Sequence, residues 1–191
     1  EPPASLWEVP ASVSPRHPLP ELDPEPCTQQ LGVAGPWQDR LPHFRMEFTP
    51  SSGDELQTEF FVDAKDAVAA LRALEPLSAE MNELLWTSEI RAVQGDDLWL
   101  SMCYGRGQSV GIHFTWKKLP RVVSDMVPKV EAALAPFGAR PHWGKIHNGT
   151  REQFEQAYSR LEDFRQLVAH MDPAGKFSNI EVDTMLGLAR E

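Results

Sequence analysis

Ser109-Val110-Gly111-Ile112-His113-Phe114-Thr115-Trp116 is the stretch on which the fold turns. Successive side chains of a strand point to opposite faces. Val110, Ile112, Phe114 and Trp116 therefore share one face, and Ser109, Gly111, His113 and Thr115 share the other. One face is apolar enough to bury; the other carries an imidazole and two hydroxyls. Strict period-two alternation of this kind specifies a strand with one buried side.

The same pattern recurs on both sides. Phe44, Met46 and Phe48 alternate with Arg45 and Glu47, and Leu56, Thr58, Phe60 and Val62 alternate with Glu55, Gln57 and Glu59. Trp86, Ser88, Ile90 and Ala92 alternate with Thr87, Glu89, Arg91 and Val93. Leu98, Leu100, Met102 and Tyr104 give a further run, between turns at Gly95-Asp96-Asp97 and Gly105-Arg106-Gly107. Helical periodicity fills the gaps. Residues 64–74 read as a helix capped by Asp63, with Ala67, Val68, Leu71 and Leu74 as its stripe. Pro76 ends it, and residues 77–85 give a short second turn. Residues 121–136 carry Val123, Met126, Val127, Val130 and Leu134 at helical spacing; Pro128 predicts a start near Ser124 or a kink. Residues 150–171 and 181–189 read as the last helices. The predicted class is α+β, an antiparallel sheet with helices packed on one face.

Eleven of the 17 prolines fall in residues 1–50. Pro15, Pro18, Pro20, Pro24 and Pro26 exclude helix and interior strand there. Residues 1–40 therefore read as a proline-rich extended arm, and residues 41–191 as one domain with a helical tail. A formal charge of −10 argues against nucleic acid, and no apolar run is long enough to span a membrane. Cys27 and Cys103 form no metal or disulfide pattern, which suits free thiols in a reducing cytoplasm. His142 and His147 are five apart, which suits no two-ligand metal face, so no metal is expected.

Strand geometry sends Glu89 and Arg91 one way, and His113 and Thr115 likewise. With the apolar faces against helices, these polar faces are expected together on the open side of the sheet. The run Gly138-Ala-Arg-Pro-His-Trp-Gly-Lys145 adds two cations, an indole and an imidazole inside an acidic protein, and reads as the wall of a site. Spacing alone favours blander readings: a solvated Glu89–Arg91 pair, a satisfied His113, a surface Lys145. Gly107-Gln108-Ser109-Val110-Gly111 matches the G-x-S-x-G pattern of serine hydrolases, but that nucleophile needs a strand-to-helix turn and Ser109 opens a strand.

Four segments carry a family resemblance: Ser88-Glu89-Ile90-Arg91, Gly111-Ile112-His113-Phe114-Thr115-Trp116, Pro141-His142-Trp143-Gly144-Lys145, and Asp172-Pro173-Ala174-Gly175-Lys176-Phe177-Ser178-Asn179. In this order they resemble the C-terminal part of the flavin-linked sugar and polyol oxidases, the group with alditol, xylitol and aldonolactone oxidases. Similar texture includes Gly35-Pro36-Trp37 and Phe48-Thr49-Pro50-Ser51-Ser52-Gly53. The resemblance implies the cap domain of a vanillyl-alcohol-oxidase-type flavoprotein, with FAD held by an N-terminal domain absent from this chain. It implies a small polyol or sugar-derived substrate, with dioxygen as the final acceptor. It assigns Arg91 and Lys145 to catalysis, Glu89, Arg91, His113, Thr115 and Lys145 to substrate binding, and His142 with Lys145 to cofactor contact. It leaves open an aldonolactone oxidase, or a binding module that keeps only the fold. His147 and Asn148 depart from the polyol pattern beyond Lys145.

Overall fold

A computed structural model describes residues 4–19, 22–41, 44–48 and 54–188. The chain divides into two compact units, Glu1–Asp54 and Glu55–Glu191.

In the first unit, β1 (Ser5–Leu6) and β2 (Val9–Pro10) form an antiparallel hairpin. Its two turn residues, Trp7 and Glu8, both hold positive φ, as a tight two-residue hairpin turn demands. The rest is irregular and held by side chains. The Gln30 amide accepts from Arg16 N and donates to Arg16 O, and Arg40 donates to the carbonyls of Val33 and Ala34. The strand expected at Phe44–Phe48 is not there. Phe44 makes a single bridge to Cys27, Arg45 bonds Pro26 O and Cys27 O, and Phe48 N closes a turn onto Arg45 O. Local turn bonding overrides the alternation. Thr49–Gly53 lie outside the described residues.

The second unit begins with β3 (Glu55–Asp63), a 3-10 turn at Ala64–Asp66 and α1 (Ala67–Leu74). A second 3-10 turn at Glu75–Leu77 leads to α2 (Ser78–Leu84), followed by β4 (Leu85–Gln94) and β5 (Gln108–Lys117). After α3 (Pro120–Leu134) and a 3-10 turn at Ala135–Phe137 come β6 (Arg140–Pro141), α4 (Arg151–Ala157), α5 (Leu161–Met171) and α6 (Ile180–Leu186). The sheet order is β4-β5-β3-β6, antiparallel throughout. The fold is α+β with helices on the apolar face, as the alternation predicts.

That face holds Phe60, Val62, Ile112, Phe114 and Trp116, packed against Ala70 and Leu74 of α1, Met81 and Leu84 of α2, and Val123, Met126, Val127, Val130 and Leu134 of α3. Trp116 is fully buried and its indole N–H donates to the Thr58 hydroxyl at 3.0 Å. Pro128 lies inside α3, which starts upstream of Ser124, at Pro120. Val68, expected in the apolar stripe of α1, is exposed; Ala70 takes the buried position. The apolar side of β4 is not covered either: Trp86, Ser88, Ile90 and Ala92 are exposed on this edge strand.

Two more segments depart from the expected elements. Residues 98–104 form no strand. Asp96 Oδ1 accepts from Leu98 N, its Oδ2 accepts from the Ser101 hydroxyl, and Ser101 Oγ accepts from Cys103 N, so the segment closes into turns. Arg140 ties that loop to the sheet through the carbonyls of Met102 and Tyr104. Residues 150–171 form two helices, not one. Thr150 and Gln153 make a reciprocal capping box on α4, and Tyr158 leaves helical geometry. α4, α5 and α6 enclose a second apolar cluster of Phe154, Tyr158, Leu161 and Leu186, joined by Trp143. Gly187, at φ 63°, ends α6 before the predicted boundary at 189.

Candidate active site

The strand register sets the site. Glu59 of β3, His113 of β5 and Glu89 of β4 stand in one row across three strands. The next row is Phe61, Gly111 and Arg91. Without a side chain at Gly111, the Arg91 guanidinium reaches over β5 and donates to Glu59 Oε1 at 3.0 Å. A Cβ on Gly111 would lie 3.1 Å from that oxygen and 3.2 Å from the Phe61 ring. Arg91 also donates to Glu89 Oε2 from Nη2 at 2.7 Å and from Nε at 3.1 Å. Charge-assisted bonds of this length are the strong kind.

Lys145 arrives through a bulged edge. His142 N donates to Glu59 O at 2.9 Å, and Ile146 N donates to Gln57 O at 3.0 Å. Residues 142–146 thus span the interval that 57–59 cover on β3. The excess closes as a turn, with Lys145 N on His142 O and Gly144 N on His142 Nδ1. Regular strand geometry here covers only Arg140–Pro141, and the turn beyond it drops the lysine onto the sheet. Lys145 Nζ donates to Glu59 Oε2 at 2.5 Å and lies 2.9 Å from His113 Nδ1. His113 Nε2 lies 3.0 Å from Thr115 Oγ1.

The five residues expected in catalysis and substrate binding join one connected chain: Glu89, Arg91, Lys145, His113 and Thr115, with Glu59 as the hub. Glu59 is what sequence reading missed. It sits inside the run Thr58-Glu59-Phe60-Phe61-Val62, and a carboxylate framed by residues that all bury is the signal that could have found it. Burial pushes the Glu59 carboxyl up, but the hydrogen bond from Lys145 and the charges of Lys145 and Arg91 overcome it and hold the group at about 2. Two carboxylates and two cations balance to zero net charge.

The expected open face is not open. Glu59 and His113 are each 3% exposed, because Lys145, Arg91 and the 142–146 turn cover them. Arg91 and Glu89 remain at the solvent edge, 42% and 41% exposed. His142 does not join the chain: its ring tilts against Phe61, and burial, then the Lys145 charge, pushes its pKa down. Trp143 belongs to the second core, stacked 4.7 Å from Phe154 with its N–H on Leu100 O. Ser109 is buried within β5, its hydroxyl without a hydrogen-bond partner among the described residues. Two clefts, of about 480 and 690 Å³, are lined by none of these six residues. Among the described residues no three His, Cys, Asp or Glu side chains gather as a metal site, and no helix is long and apolar enough to cross a membrane.

The family described as D-arabinono-1,4-lactone oxidase matches residues 53–185. Alditol oxidase of Streptomyces sp. (strain IKD472 / FERM P-14339) is 46% identical over 173 residues, covering 91% of this chain and 41% of its own. L-gulonolactone oxidase of Mus musculus is 36% identical over 95 residues, covering 48% of this chain and 21% of its own. L-gulono-1,4-lactone dehydrogenase of Mycobacterium tuberculosis (strain ATCC 25618 / H37Rv) is 24% identical over 139 residues, 69% of this chain and 30% of its own. The chain thus spans less than half the length of these relatives.

Proposed function

The chain belongs to the D-arabinono-1,4-lactone oxidase family, and we propose from that premise that it is the substrate-binding part of an FAD-dependent polyol oxidase. The observation that carries this reading is the connected series from Glu89 through Arg91, Glu59, Lys145 and His113 to Thr115. A polyol hydroxyl both donates and accepts. The series offers a carboxylate acceptor at Glu89 and donors at Arg91, Lys145 and Thr115, spread over neighbouring strands as successive hydroxyls require.

Oxidation of an alcohol to a carbonyl removes the hydroxyl proton and a carbon-bound hydride. Negative charge develops on the alcohol oxygen, and fixed cations there lower the barrier. Arg91 and Lys145 take that role; Glu89 accepts from a neighbouring hydroxyl; His113 and Thr115 serve the far end of the substrate. When bound, the flavin supplies the hydride acceptor and, with dioxygen, the route to hydrogen peroxide.

The donor set fits the redox end of a flavin, where Lys145 and, beside it, His142 would make contact. It offers no cradle for the pyrophosphate, since the sequence has no G-x-G-x-x-G. We place that contact on a separate flavin-binding domain, which would also supply the wall opposite the sheet. Two buried free thiols suit a cytoplasmic setting.

The gulonolactone-named relatives favour a second reading, an aldonolactone oxidase. A peroxide-release screen of the full-length protein over xylitol, sorbitol, glycerol and sugar lactones separates the two. The polyol reading expects the highest kcat/KM with a polyol. A lactone ahead of every polyol would select the second reading, and no peroxide from any of them would reject both.

A further inference from the structure

We infer that Glu59 is the positioning residue of this site: it holds Lys145 and Arg91 in place and, through Lys145, fixes the direction of every hydrogen bond out to Thr115. The inference rests on the oxidase reading for what the site binds, but its geometry stands on this chain alone.

The direction follows from counting protons. Lys145 Nζ lies 2.5 Å from Glu59 Oε2, in a pocket that leaves the lysine side chain 15% exposed and the carboxylate 4%. A carboxylate that close keeps the amine as an ammonium, which has three donors and no acceptor. The ammonium also meets His113 Nδ1 at 2.9 Å. Two donors cannot face each other at that distance, so Nδ1 presents its lone pair and the imidazole is neutral. Its proton then sits on Nε2, 3.0 Å from Thr115 Oγ1. The other acceptor near Nδ1, Glu59 Oε2, is at 3.5 Å, beyond the ordinary hydrogen-bond range. Thr115 therefore accepts from His113, and its own hydroxyl proton is left to donate outward. At the other end, Glu59 Oε1 holds one arm of Arg91 at 3.0 Å while Glu89 holds the other.

One buried carboxylate thus decides what each arm of the site can recognise. Lys145, Arg91 and Thr115 all present donors, so the ligand must place acceptor oxygens before them. Glu89 is the member of the series that accepts from the ligand. The pattern selects a ligand with several oxygens in a row, and disfavours one that carries an amine opposite Thr115.

The test is Glu59→Gln, which keeps the shape and removes the charge. In the 191-residue chain, ¹⁵N shifts of His113 should report a neutral ring protonated on Nε2; in E59Q that single tautomer should be lost. In the full-length flavoprotein, E59Q should lower kcat for the best polyol by at least about 100-fold, the scale of one displaced charge-stabilising donor, with a much smaller change in KM. Glu59→Asp, which keeps the charge on a shorter arm, should retain the Nε2 tautomer and recover part of the kcat. If E59Q does not fold, E59D decides: an intermediate kcat with the Nε2 tautomer supports the role. Unchanged kcat with an unchanged His113 spectrum, in either variant, overturns it. Should the full-length protein oxidise no polyol, the oxidase reading fails, and the His113 tautomer in wild type and E59Q still settles the part assigned to Glu59.

Discussion

On β5, Ile112 and Phe114 are 1% and 3% exposed on the helix side of the sheet, and His113 between them is 3% exposed on the other. The exposures match; the means of burial differ. On the helix side, apolar side chains from three helices exclude water, and burial itself is the stabilising term. On the far side, Glu59 and His113 are covered by Lys145, Arg91 and a short turn. There burial costs desolvation, which ionic and hydrogen bonds must offset. A buried ion network of this kind is weak evidence for stability. On the proposed function, it holds donors and acceptors ready for a ligand.

The largest expected effect on the fold is on the helix side. Trp116→Ala removes a fully buried ring and leaves the Thr58 hydroxyl unpaired, and should cost about 3–5 kcal/mol in denaturant unfolding. A negligible loss would mean that the helices do not depend on this face.

The polar side should answer to acid instead. Glu59 is held near 2 in the fold against an ordinary 4.5, so it contributes stability above 4.5 that is lost as pH falls toward 2. Urea unfolding followed between these limits should show that loss, and Glu59→Gln should flatten its share. A wild-type profile no steeper than the variant's would show that the carboxylate is not held by its neighbours.

Gly111→Ala sharpens the contrast with the smallest change. Its methyl would press on Glu59 Oε1 and the Phe61 ring at 3.1 and 3.2 Å, on the polar face alone. A cost of about 1–3 kcal/mol in thermal melts is expected, the range for overpacking. No change would mean that the Arg91 crossing has more room than the register implies.

The helix side was legible because apolar alternation on β3 and β5 has one physical meaning, a face to be covered. The same alternation failed at residues 98–104, where the Asp96 and Ser101 side chains bonded the backbone into turns, and at Phe44, where Arg45 did so. It also misjudged β4, whose apolar side lies at the sheet edge beyond the helices. On the polar side, strand parity put Glu89 with Arg91 and His113 with Thr115. Parity does not give register, so it could not place Glu59 opposite His113. Nor could it foresee that a four-residue detour after Pro141 would carry Lys145 across 86 positions of sequence onto that carboxylate. The family resemblance supplied the five side chains; only the folded register supplied what joins them.

The decisive measurement is kcat/KM for the best polyol in the full-length enzyme carrying Lys145→Met, at matched flavin content. Loss of this cation should lower it by about 10²–10³-fold. Parity with the wild-type enzyme would contradict the claim that the polar face of this sheet is where an alcohol is held and oxidised.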